Sequence, residues 1–503
     1  MREPARAETG ASTGAPTAAD AERRLHPMSW LFVLLQQLKQ FILPLLALLV
    51  FGQGDRNALW PLIGVGGLAV YSVWQYFTYQ YGVAGDALVV RSGVFERSVR
   101  VIPFARIHNV ALQQSLLHRL VGVAEVRLES AGGKKPEAEM RVLKLEDALA
   151  LESLVRHRGA TAPTGSAAAP DAAPLLAMDF GEVLRLGVVS NRGMLLLAAA
   201  FGGMWQVPGL GENLFEGWGE SVLGMAEDRQ LGPSGYVLAA LTLVLLAMAG
   251  LRLLSILMAL LQYHGFELRE QGRRLTVERG LLARWRTSAS RRRIQAWTLE
   301  EGVLHRLLKR RSLSVDTAVA EEQQQQRALR ELAPIATPRD CDALIGHLLP
   351  ASGWGALDWQ PQPASNWWRI WWPGALLVLA IAAAAAWRVG PWGFLVLAWW
   401  PWSAFVAWQH ARRLAWAMSD NLVAVRGGWW SRHWRFAEID KLQVLQLRRN
   451  GVDRRLGTAS LSFDTSGAGA MSPPLRIRFL PVAVARELND RLAATLATRP
   501  LRW

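Results

Sequence analysis

The sequence contains little cysteine and comparatively few acidic residues, and both shortages limit the class of protein to which it can belong. Cys341 is the single cysteine in 503 residues, which excludes an internal disulfide and any metal site built from several cysteines. Acidic residues number 41 against 56 Lys and Arg, so the formal net charge is +15. Apolar residues nevertheless make up 51% of the chain. Soluble enzymes rarely combine these properties, so we predict long apolar spans separated by basic segments.

Motifs of catalysis and cofactor binding are also missing from the sequence. No glycine-rich phosphate loop precedes a predicted helix, and "GVGG" at 64–67 lies inside an apolar run. The sequence shows no histidine pair at helical spacing, no set of zinc ligands and no nucleophile elbow. We therefore expect no catalytic residues, no cofactor and no metal.

Six apolar segments indicate membrane spans. Most are close to the roughly 20 residues that cross the hydrocarbon of a bilayer. They occur in pairs, and each pair predicts a transmembrane hairpin. The segments are 31–51, 60–79, 193–210, 235–261, 370–387 and 392–408.

A polar region follows each pair and gives the chain a repeated layout. Two stretches rich in Ala, Pro and Gly are expected to be linkers, because such a composition cannot build a core. The predicted organisation is a disordered tail without a signal peptide (1–27), a first hairpin (28–80) and β-domain (81–158), a linker (159–177), a second hairpin with a pre-span helix (178–263) and β-domain (264–350), a linker (351–366), and a third hairpin (367–411) and β-domain (412–503).

The three polar regions align without gaps for about 30 residues when each is placed on one glycine. Their shared positions are a glycine, an apolar residue 14 positions later and a basic residue 26 positions later: Gly93, Ile107 and Arg119; Gly280, Ile294 and Arg306; Gly428, Leu442 and Arg454. His118 of the first copy matches His305 of the second, but Asp453 takes that place in the third. His108 of the first copy is replaced by an amide in the other two, Gln295 and Gln443, which a catalytic histidine would not need. We therefore interpret the stretch 105–122 as framework, with a polar surface site unique to the first copy as the alternative.

Each copy also ends with a predicted strand followed by an amphipathic helix, as in "MRVLKLEDALALESLVRH" at 140–157. Alternating runs bounded by Gly or charged turns lie upstream of these ends. Short strands closed by one helix predict a small β-sandwich or open barrel, with the helix covering an open end.

The string "IPFARIHNVALQQSLLHRLVG" after a two-helix hairpin resembles the bacterial pleckstrin-homology (PH)-like domain family, which occurs as tandem copies in membrane proteins. The third copy keeps the pattern, whereas the second has Ser290 in place of the proline and Lys309 in place of Gly122. The resemblance implies an α+β membrane protein with six spans and three seven-stranded PH-like domains. It also implies a poorly characterised, non-enzymatic protein of the bacterial inner membrane.

Basic clusters supply the candidate contact residues. They are Arg291, Arg292, Arg293, Lys309, Arg310 and Arg311 in the second copy, and Arg432, Arg435, Arg448, Arg449, Arg454 and Arg455 in the third. One interpretation is charge that sets topology and solubility; the other is a face against anionic headgroups of the bilayer. A membrane-protein partner or self-association is also expected. Nucleic acid is not, because each domain is tethered to the membrane.

The family resemblance implies a scaffold that acts with a membrane partner in envelope homeostasis or stress tolerance; the alternative is a transporter or lipid-handling protein. The spans carry few ionisable groups, chiefly Lys39 and Arg252, whereas a coupled transport path usually needs several. Arginine is concentrated on one side of the spans, which predicts that the termini and all three β-domains are cytoplasmic. Trp429 and Trp430 follow the aligned glycine, and the pattern leaves open whether they enter the interface or the core.

Overall fold

The computed structural model describes residues 23–35, 60–93, 97–130, 138–158, 173–205, 217, 232–317, 329–467 and 472–498. The chain divides into two compact units, residues 1–168 and 169–503. The first unit holds the first copy of the repeat, and the second unit holds the other two. Residues 1–22 of the predicted tail, most of span 31–51 and the end of span 193–210 lie outside the described residues.

In the first unit, two antiparallel sheets and a closing helix surround a core that includes Leu88, Phe104 and Leu128. One sheet has the order β1-β2-β3-β4, and the other has the order β5-β6-β7. The elements are β1 (Arg23–Arg24), a helical segment at 29–35, α1 (Trp60–Thr78), β2 (Gln80–Ala84), β3 (Ala87–Ser92), β4 (Ser98–Pro103), β5 (Ile107–Gln114), α2 (Leu116–Val121), β6 (Val123–Ser130), β7 (Ala138–Lys144) and α3 (Leu145–Arg158).

The second copy begins the second unit with the same succession of elements. It comprises β8 (Leu176–Ala177), α4 (Phe180–Val189), α5 (Arg192–Trp205), α6 (Pro233–Tyr263), β9 (Glu267–Gln271), β10 (Arg274–Arg279), β11 (Arg284–Ser290), β12 (Ile294–Glu301), α7 (Val303–Leu307), β13 (Arg311–Thr317), β14 (Glu331–Ala336) and α8 (Pro338–Leu348). Its strands β8 to β11 pair in that order.

The third copy completes the unit with β15 (Gln360–Pro361), α9 (Trp367–Val389), α10 (Trp399–Arg413), β16 (Ala415–Met418), β17 (Leu422–Gly427), β18 (Arg432–Glu438), β19 (Leu442–Arg448), α11 (Gly451–Arg455), β20 (Thr458–Thr465), β21 (Arg476–Pro481) and α12 (Val482–Thr498). Its last three strands form a sheet of order β19-β20-β21.

Copies two and three are fused through one continuous sheet. Strand β12 pairs with β13 on one side and with β18 of the next copy on the other. The resulting seven-stranded sheet has the order β14-β13-β12-β18-β17-β16-β15. Ala296 of β12 is fully buried in the core of the third copy, while Phe436 of β18 is fully buried in the core of the second. The two copies therefore share both a sheet and their cores.

The repeat positions fall at equivalent places in all three copies. Gly93, Gly280 and Gly428 each follow a strand and have positive φ, at 118°, 110° and 78°. A Cβ on Gly280 would lie 2.0 Å from the carbonyl oxygen of Ala283, and the turn at Gly428 is equally tight. A side chain would clash in both places, so glycine is required there. Ile107, Ile294 and Leu442 each begin a strand directly after a 3-10 turn and are at most 5% exposed.

Each hairpin region is inserted between two neighbouring strands of a sheet. The chain forms a two-residue strand before the hairpin and returns into the adjacent antiparallel strand after it: β1 with β2, β8 with β9, and β15 with β16. Short parts of the expected tail (1–27) and of the two expected linkers (159–177 and 351–366) therefore belong to sheets, namely Arg23–Arg24, Leu176–Ala177 and Gln360–Pro361. Two-residue strands have no hydrophobic period, so the sequence pattern could not show them.

Apolar helices occupy the predicted spans within the described residues. Two stretches, Ser234–Tyr263 and Ala364–Arg413, are long and apolar enough to cross a membrane, and the bent pair Phe180–Val189 with Arg192–Met204 (53°) adds a third if it forms one span. The second stretch folds back on itself, since Trp371 Nε1 donates to Ser403 Oγ at 2.9 Å across α9 and α10. The protein is thus a mixed α/β chain with β-sheet domains and candidate spanning helices. The arrangement of six spans in three hairpins stays a prediction.

Candidate functional site: the domain–hairpin junctions and an arginine pocket

The short helix that follows the fifth strand of the first copy contacts the start of its own hairpin. In α2 the His118 ring lies 4.1 Å, centroid to centroid, from the Phe32 ring. Its Nδ1 lies 2.6 Å from the Oγ of Ser115, the residue that caps this helix. His118 is buried. Within the first unit, therefore, the histidine joins the domain to its hairpin.

The third copy places an ion pair at the same repeat position. Asp453 of α11 is buried and pairs with Arg369 in the first turn of α9. Thr458 Oγ1 donates to the Asp453 carboxylate at 2.8 Å. Burial raises the pKa of Asp453, but bonds from the Asn450 backbone, Arg369 and Thr458 outweigh this, so the pKa lies below its ordinary value. Asp453 is therefore held ionised beside the foot of the third hairpin.

The second copy uses a neighbouring arginine for the same purpose. The guanidinium of Arg310 donates to both carboxylate oxygens of Glu182 in α4, at 2.7 to 3.1 Å. The bond to Glu182 raises the pKa of Arg310. Another group, in which Glu331 pairs with Arg192 at 2.9 Å and Arg279 at 3.2 Å, joins the start of α5 to the domain. In each copy, different side chains in the same region of the fold thus join the domain to the helical segment inserted in its sheet.

An arginine-lined pocket lies where the last apolar helix ends. It has a volume of about 230 Å³ and is lined by Arg412, Arg413, Arg426, Gly427, Gly428, Arg432 and Trp434. We call it the arginine pocket. Arg412 and Arg413 end α10, Arg426 lies near the end of β17, and Arg432 begins β18. Three elements therefore direct guanidinium groups to one place.

Positive charge in the arginine pocket is weakly compensated. Among the described residues, no carboxylate lies within 4 Å of Arg412, Arg413 or Arg426, although Arg412 stacks over Trp408 and Arg426 over Trp359. Arg432 lies 3.8 Å from Glu301. Burial lowers the pKa of Arg432, as do the nearby cations Arg306 and Arg311, while Glu301 raises it. Such a concentration of guanidinium groups suits a phosphate or carboxylate ligand.

Tryptophans flank the arginine pocket on its apolar side. Trp429 lies edge-on to Phe405 of α10 with a centroid distance of 5.5 Å, and it also contacts Trp402. Trp430 beside it is 61% exposed. This resolves the open interpretation of the two residues: Trp429 packs on the third hairpin and Trp430 points outward. Trp is typical of the membrane–water interface.

The predicted basic cluster of the second copy is largely engaged in structural contacts. Arg291 donates to the Leu348 carbonyl at the end of α8 and pairs with Glu270, and Arg311 lies 3.7 Å from both Glu301 and Asp342. Burial, followed by the proximity of Arg274, lowers the pKa of Arg293 to about 10. Arg292 and Lys309 are exposed. With Arg310 bound to Glu182, this cluster does not form one lipid-facing patch.

The predicted cluster of the third copy is split by the fold. Arg435 is 2% exposed and pairs with Asp316 of the second copy, so it cannot reach a headgroup. This corrects its assignment as a contact residue, because pairing of β18 with β12 buries it. Arg448, Arg449, Arg454 and Arg455 are exposed at the end of β19 and on α11. Only Arg432 lines the arginine pocket.

Sequence reasoning missed Arg412, Arg413 and Arg426. The first two resemble ordinary charge at the end of a span, and Arg426 is one residue in an alternating strand. A signal was present in the repeat, because Arg426 and Arg432 flank the aligned glycine and the tight turn brings the flanking strands together. The contribution of Arg412 and Arg413 depends on where the fold places the end of α10, and a local pattern does not show this.

The remaining chemistry of the described residues is sparse. No group of three or more His, Cys, Asp or Glu side chains there is arranged to hold a metal ion. An open groove of about 590 Å³ runs between α8 and the 350–359 segment, along Trp354, Trp359 and Trp434. Its Asp342 already accepts a bond from Trp354 Nε1 at 2.9 Å. The groove therefore belongs to the packing of that segment on the second copy.

Comparison with known proteins adds a family. The profile described as "Bacterial PH domain" matches three times, at residues 32–159, 221–340 and 374–496. A UPF0699 transmembrane protein, YdbT of Bacillus subtilis (strain 168), is 22% identical over 337 residues, covering 62% of this chain and 66% of the relative. The chain thus aligns with slightly less than two thirds of that protein. No solved structure matches.

Proposed function

We propose that this member of the bacterial PH-domain family, a transmembrane protein that the family profile matches three times, is a non-catalytic scaffold of the bacterial inner membrane. Its domains would be held against anionic headgroups and would act with a partner in envelope homeostasis or stress tolerance. We further propose six spans in three hairpins, with both termini and all three domains in the cytoplasm. The relative's name supports the membrane location only.

The arginine pocket carries this proposal. It combines four guanidinium groups, weak acidic compensation and flanking tryptophans at the end of the last apolar helix. Basic groups near an anionic leaflet each contribute about 1 kcal/mol to attraction. Insertion of the hairpins between paired strands also supports a scaffold, because a domain whose sheet includes the strands on both sides of its hairpin cannot detach from the membrane.

The contacts of Arg252 favour a structural role for this residue over a role in transport. This residue lies within α6, and its guanidinium donates to the carbonyls of Val188 and Ser190 at 3.0 and 3.3 Å. Those carbonyls lie at the break between α4 and α5, where the helical hydrogen bonds end. Arg252 is thus engaged as a cap for a bent helix, which explains its place in an apolar span without a transport path.

The test measures lipid retention by the full chain in nanodiscs that contain phosphatidylglycerol and phosphatidylcholine. The triple variant Arg412→Gln, Arg413→Gln, Arg426→Gln should reduce preferential retention of phosphatidylglycerol at least fivefold. The matched control, Arg339→Gln, Arg486→Gln, Arg491→Gln, removes equal charge from exposed helices and should change nothing. Equal retention of both lipids by the unmodified chain, or equal loss in both variants, would refute the proposal.

Orientation is tested separately with reporter fusions. A fusion after Trp503 should be active only as a cytoplasmic reporter, and one at Gly219 only as a periplasmic reporter. The expectation follows from the concentration of arginine after the predicted even-numbered spans. The reverse result at either point would contradict the six-span topology or its orientation.

A further inference from the structure

The same strand of the repeat has opposite surroundings in copies two and three. In copy two, β12 is covered on both edges, and six consecutive residues from Ile294 to Leu299 are buried. In copy three, β19 pairs with β20 only, and no other described strand lies on its outer edge. Val444 of β19 is 50% exposed, whereas its repeat equivalent Ala296 is fully buried. The C-terminal copy thus exposes the edge that copy two uses for joining.

The joint between β12 and β18 shows what this edge accepts. An antiparallel strand pairs in the register Trp297 to Phe436, Leu299 to Trp434 and Glu301 to Arg432. The Trp297 and Phe436 rings are parallel within 4°, with centroids 6.2 Å apart. Glu300 and Glu301 face His433 and Arg432 across the joint. Backbone pairing therefore holds the strand, and opposite charges at one end match its register.

The charge at this end of the edge is reversed in copy three. Arg448 and Arg449 occupy the repeat positions of Glu300 and Glu301. Both arginines are exposed; Arg449 donates to the Thr458 carbonyl at 3.3 Å, and Arg448 has no carboxylate within 4 Å among the described residues. Arg448 and Arg478 also lower the pKa of Arg476, after the effect of burial, so cations surround this end of the strand. A strand that pairs here needs carboxylates where β18 has Arg432 and His433.

The outer strand β4 of a second copy of this chain does not supply such a strand. The outer strand β4 of the first copy is the repeat equivalent of β18, and it is also at the edge of its sheet. In the register of the joint, Arg97 would face Arg449 and Ser98 would face Arg448. Like charges directly opposite each other on paired strands are destabilising. The charge pattern therefore disfavours head-to-tail pairing between molecules.

We infer that the outer edge of β19 is the docking site for an extended, acidic segment of a partner protein. The segment adds as an antiparallel strand beside Leu445–Leu447, with Asp or Glu opposite Arg448 and Arg449. The inference rests on the proposed scaffold function and names the chemistry of its partner. A long exposed strand edge is otherwise a liability for a protein, which gives occupation of this edge a physical reason.

The test uses the full chain in nanodiscs of phosphatidylcholine alone, so that no anionic headgroup competes. The probe is a fluorescent peptide with the sequence of Arg432–Glu438 in which the first two residues are replaced by glutamate. It should bind at least tenfold more tightly than the unchanged peptide. The double variant Arg448→Glu, Arg449→Glu should reverse that preference, since the charge pattern then resembles β12. The control Arg454→Glu, Arg455→Glu changes exposed arginines on α11 and should preserve it.

Backbone pairing is tested with the same acidic peptide carrying N-methyl groups at alternate amides. One of the two N-methylated series should lose binding, because it removes the donors that face β19, while the other should retain it. Equal binding of the acidic, unchanged and scrambled peptides would overturn the inference. So would equal effects of the two double variants.

Two further outcomes identify other occupants and would also overturn the inference. Reduced phosphatidylglycerol retention by the Arg448→Glu, Arg449→Glu variant would assign the edge to headgroups. Loss, in the same variant, of a concentration-dependent dimer formed by the unmodified chain would assign the edge to a second copy. The lipid test of the arginine pocket uses other residues, so either proposal can fail while the other stands.

Discussion

Strands β12 and β19 are repeat equivalents within one chain, yet one is an interior strand and the other an edge strand. Their apolar positions are similar, with Leu299 matched by Leu447. They differ at the outer edge: β18 pairs with β12 there, whereas no described strand pairs with that edge of β19. The comparison teaches that the repeat sequence specifies a domain, while the position of the domain in the array decides which edge is buried. Four predictions test how equivalent positions differ between the copies, beginning with the largest expected effect.

Aspartate at the equivalent positions Ala296 and Val444 should have very different effects. Ala296→Asp buries an unpaired charge in the shared core and should destabilise the second unit by about 3–5 kcal/mol. Val444→Asp changes an exposed side chain and should alter stability by less than about 0.5 kcal/mol. Thermal unfolding of the solubilised full chain, followed by tryptophan fluorescence, provides the measurement. Similar losses in both variants would show that β19 is covered in solution.

Removal of the buried cation Arg435 at the joint between β12 and β18 should have the next largest effect on stability. Arg435→Met removes a buried ion-pair partner of Asp316 and the donor to Thr298 Oγ1 at 2.6 Å, and should destabilise the joint by about 3 kcal/mol. Amide exchange of Ile294–Glu301 should accelerate accordingly. The repeat equivalent in copy one is Arg100, which is exposed, so Arg100→Met serves as the matched control. An unchanged exchange rate in Arg435→Met would contradict a structural role for the pair.

The stabilisation that the Arg369–Asp453 ion pair gives to copy three should depend on pH. The lowered pKa of Asp453 means that its contribution to stability is complete above its unfolded pKa and is lost as pH falls through the lower folded value, below about pH 4. Asp453→Asn should cost about 2 kcal/mol at neutral pH and should flatten this acid limb. Unfolding midpoints between pH 3 and pH 7 check both statements. Asp464→Asn, at an exposed position in β20, should keep the acid limb unchanged.

The smallest effect concerns one turn residue. Gly122, Lys309 and Gly457 occupy the same repeat position, and all have positive φ, at 69°, 52° and 65°. Lysine in this conformation is strained, so Lys309→Gly should stabilise copy two by about 0.5–1 kcal/mol. Gly457→Lys should destabilise copy three by a similar amount. Melting temperatures of the two variants should therefore move in opposite directions, and a shared direction would disprove the equivalence of the turns.

Much of the framework could be predicted from residue spacing. The three glycines, the apolar residue 14 positions later and the closing helices follow from steric limits and hydrophobic period, both of which act over short stretches of chain. The same applies to the apolar helices around 235–261 and 370–387, although the number of spans stays a prediction. Replacement of His108 by Gln295 and Gln443 predicts that the surrounding stretch is framework, and the structure places His118 against Phe32 and Asp453 against Arg369.

The candidate site was harder to predict because charge alone does not distinguish its roles. Arg310, Arg432 and Arg435 are all arginines in basic clusters, yet one binds Glu182, one lines the arginine pocket and one is buried in the joint. Their roles depend on partners more than 100 residues away in the chain for Arg310 and Arg435. Local patterns contain no information about such separations.

The sequence by itself determined that this protein has a thrice-repeated β-domain, apolar helices between the copies and a basic excess. Short-range physics is sufficient for these features: side-chain volume, backbone sterics and the hydrophobic effect act on neighbouring residues. Only the tertiary structure decided that strands on both sides of a hairpin pair with each other, that β12 joins β18, and that β19 remains at an edge. These outcomes depend on backbone hydrogen bonds, which nearly every residue can make, so strand pairing is chosen by the placement of whole domains.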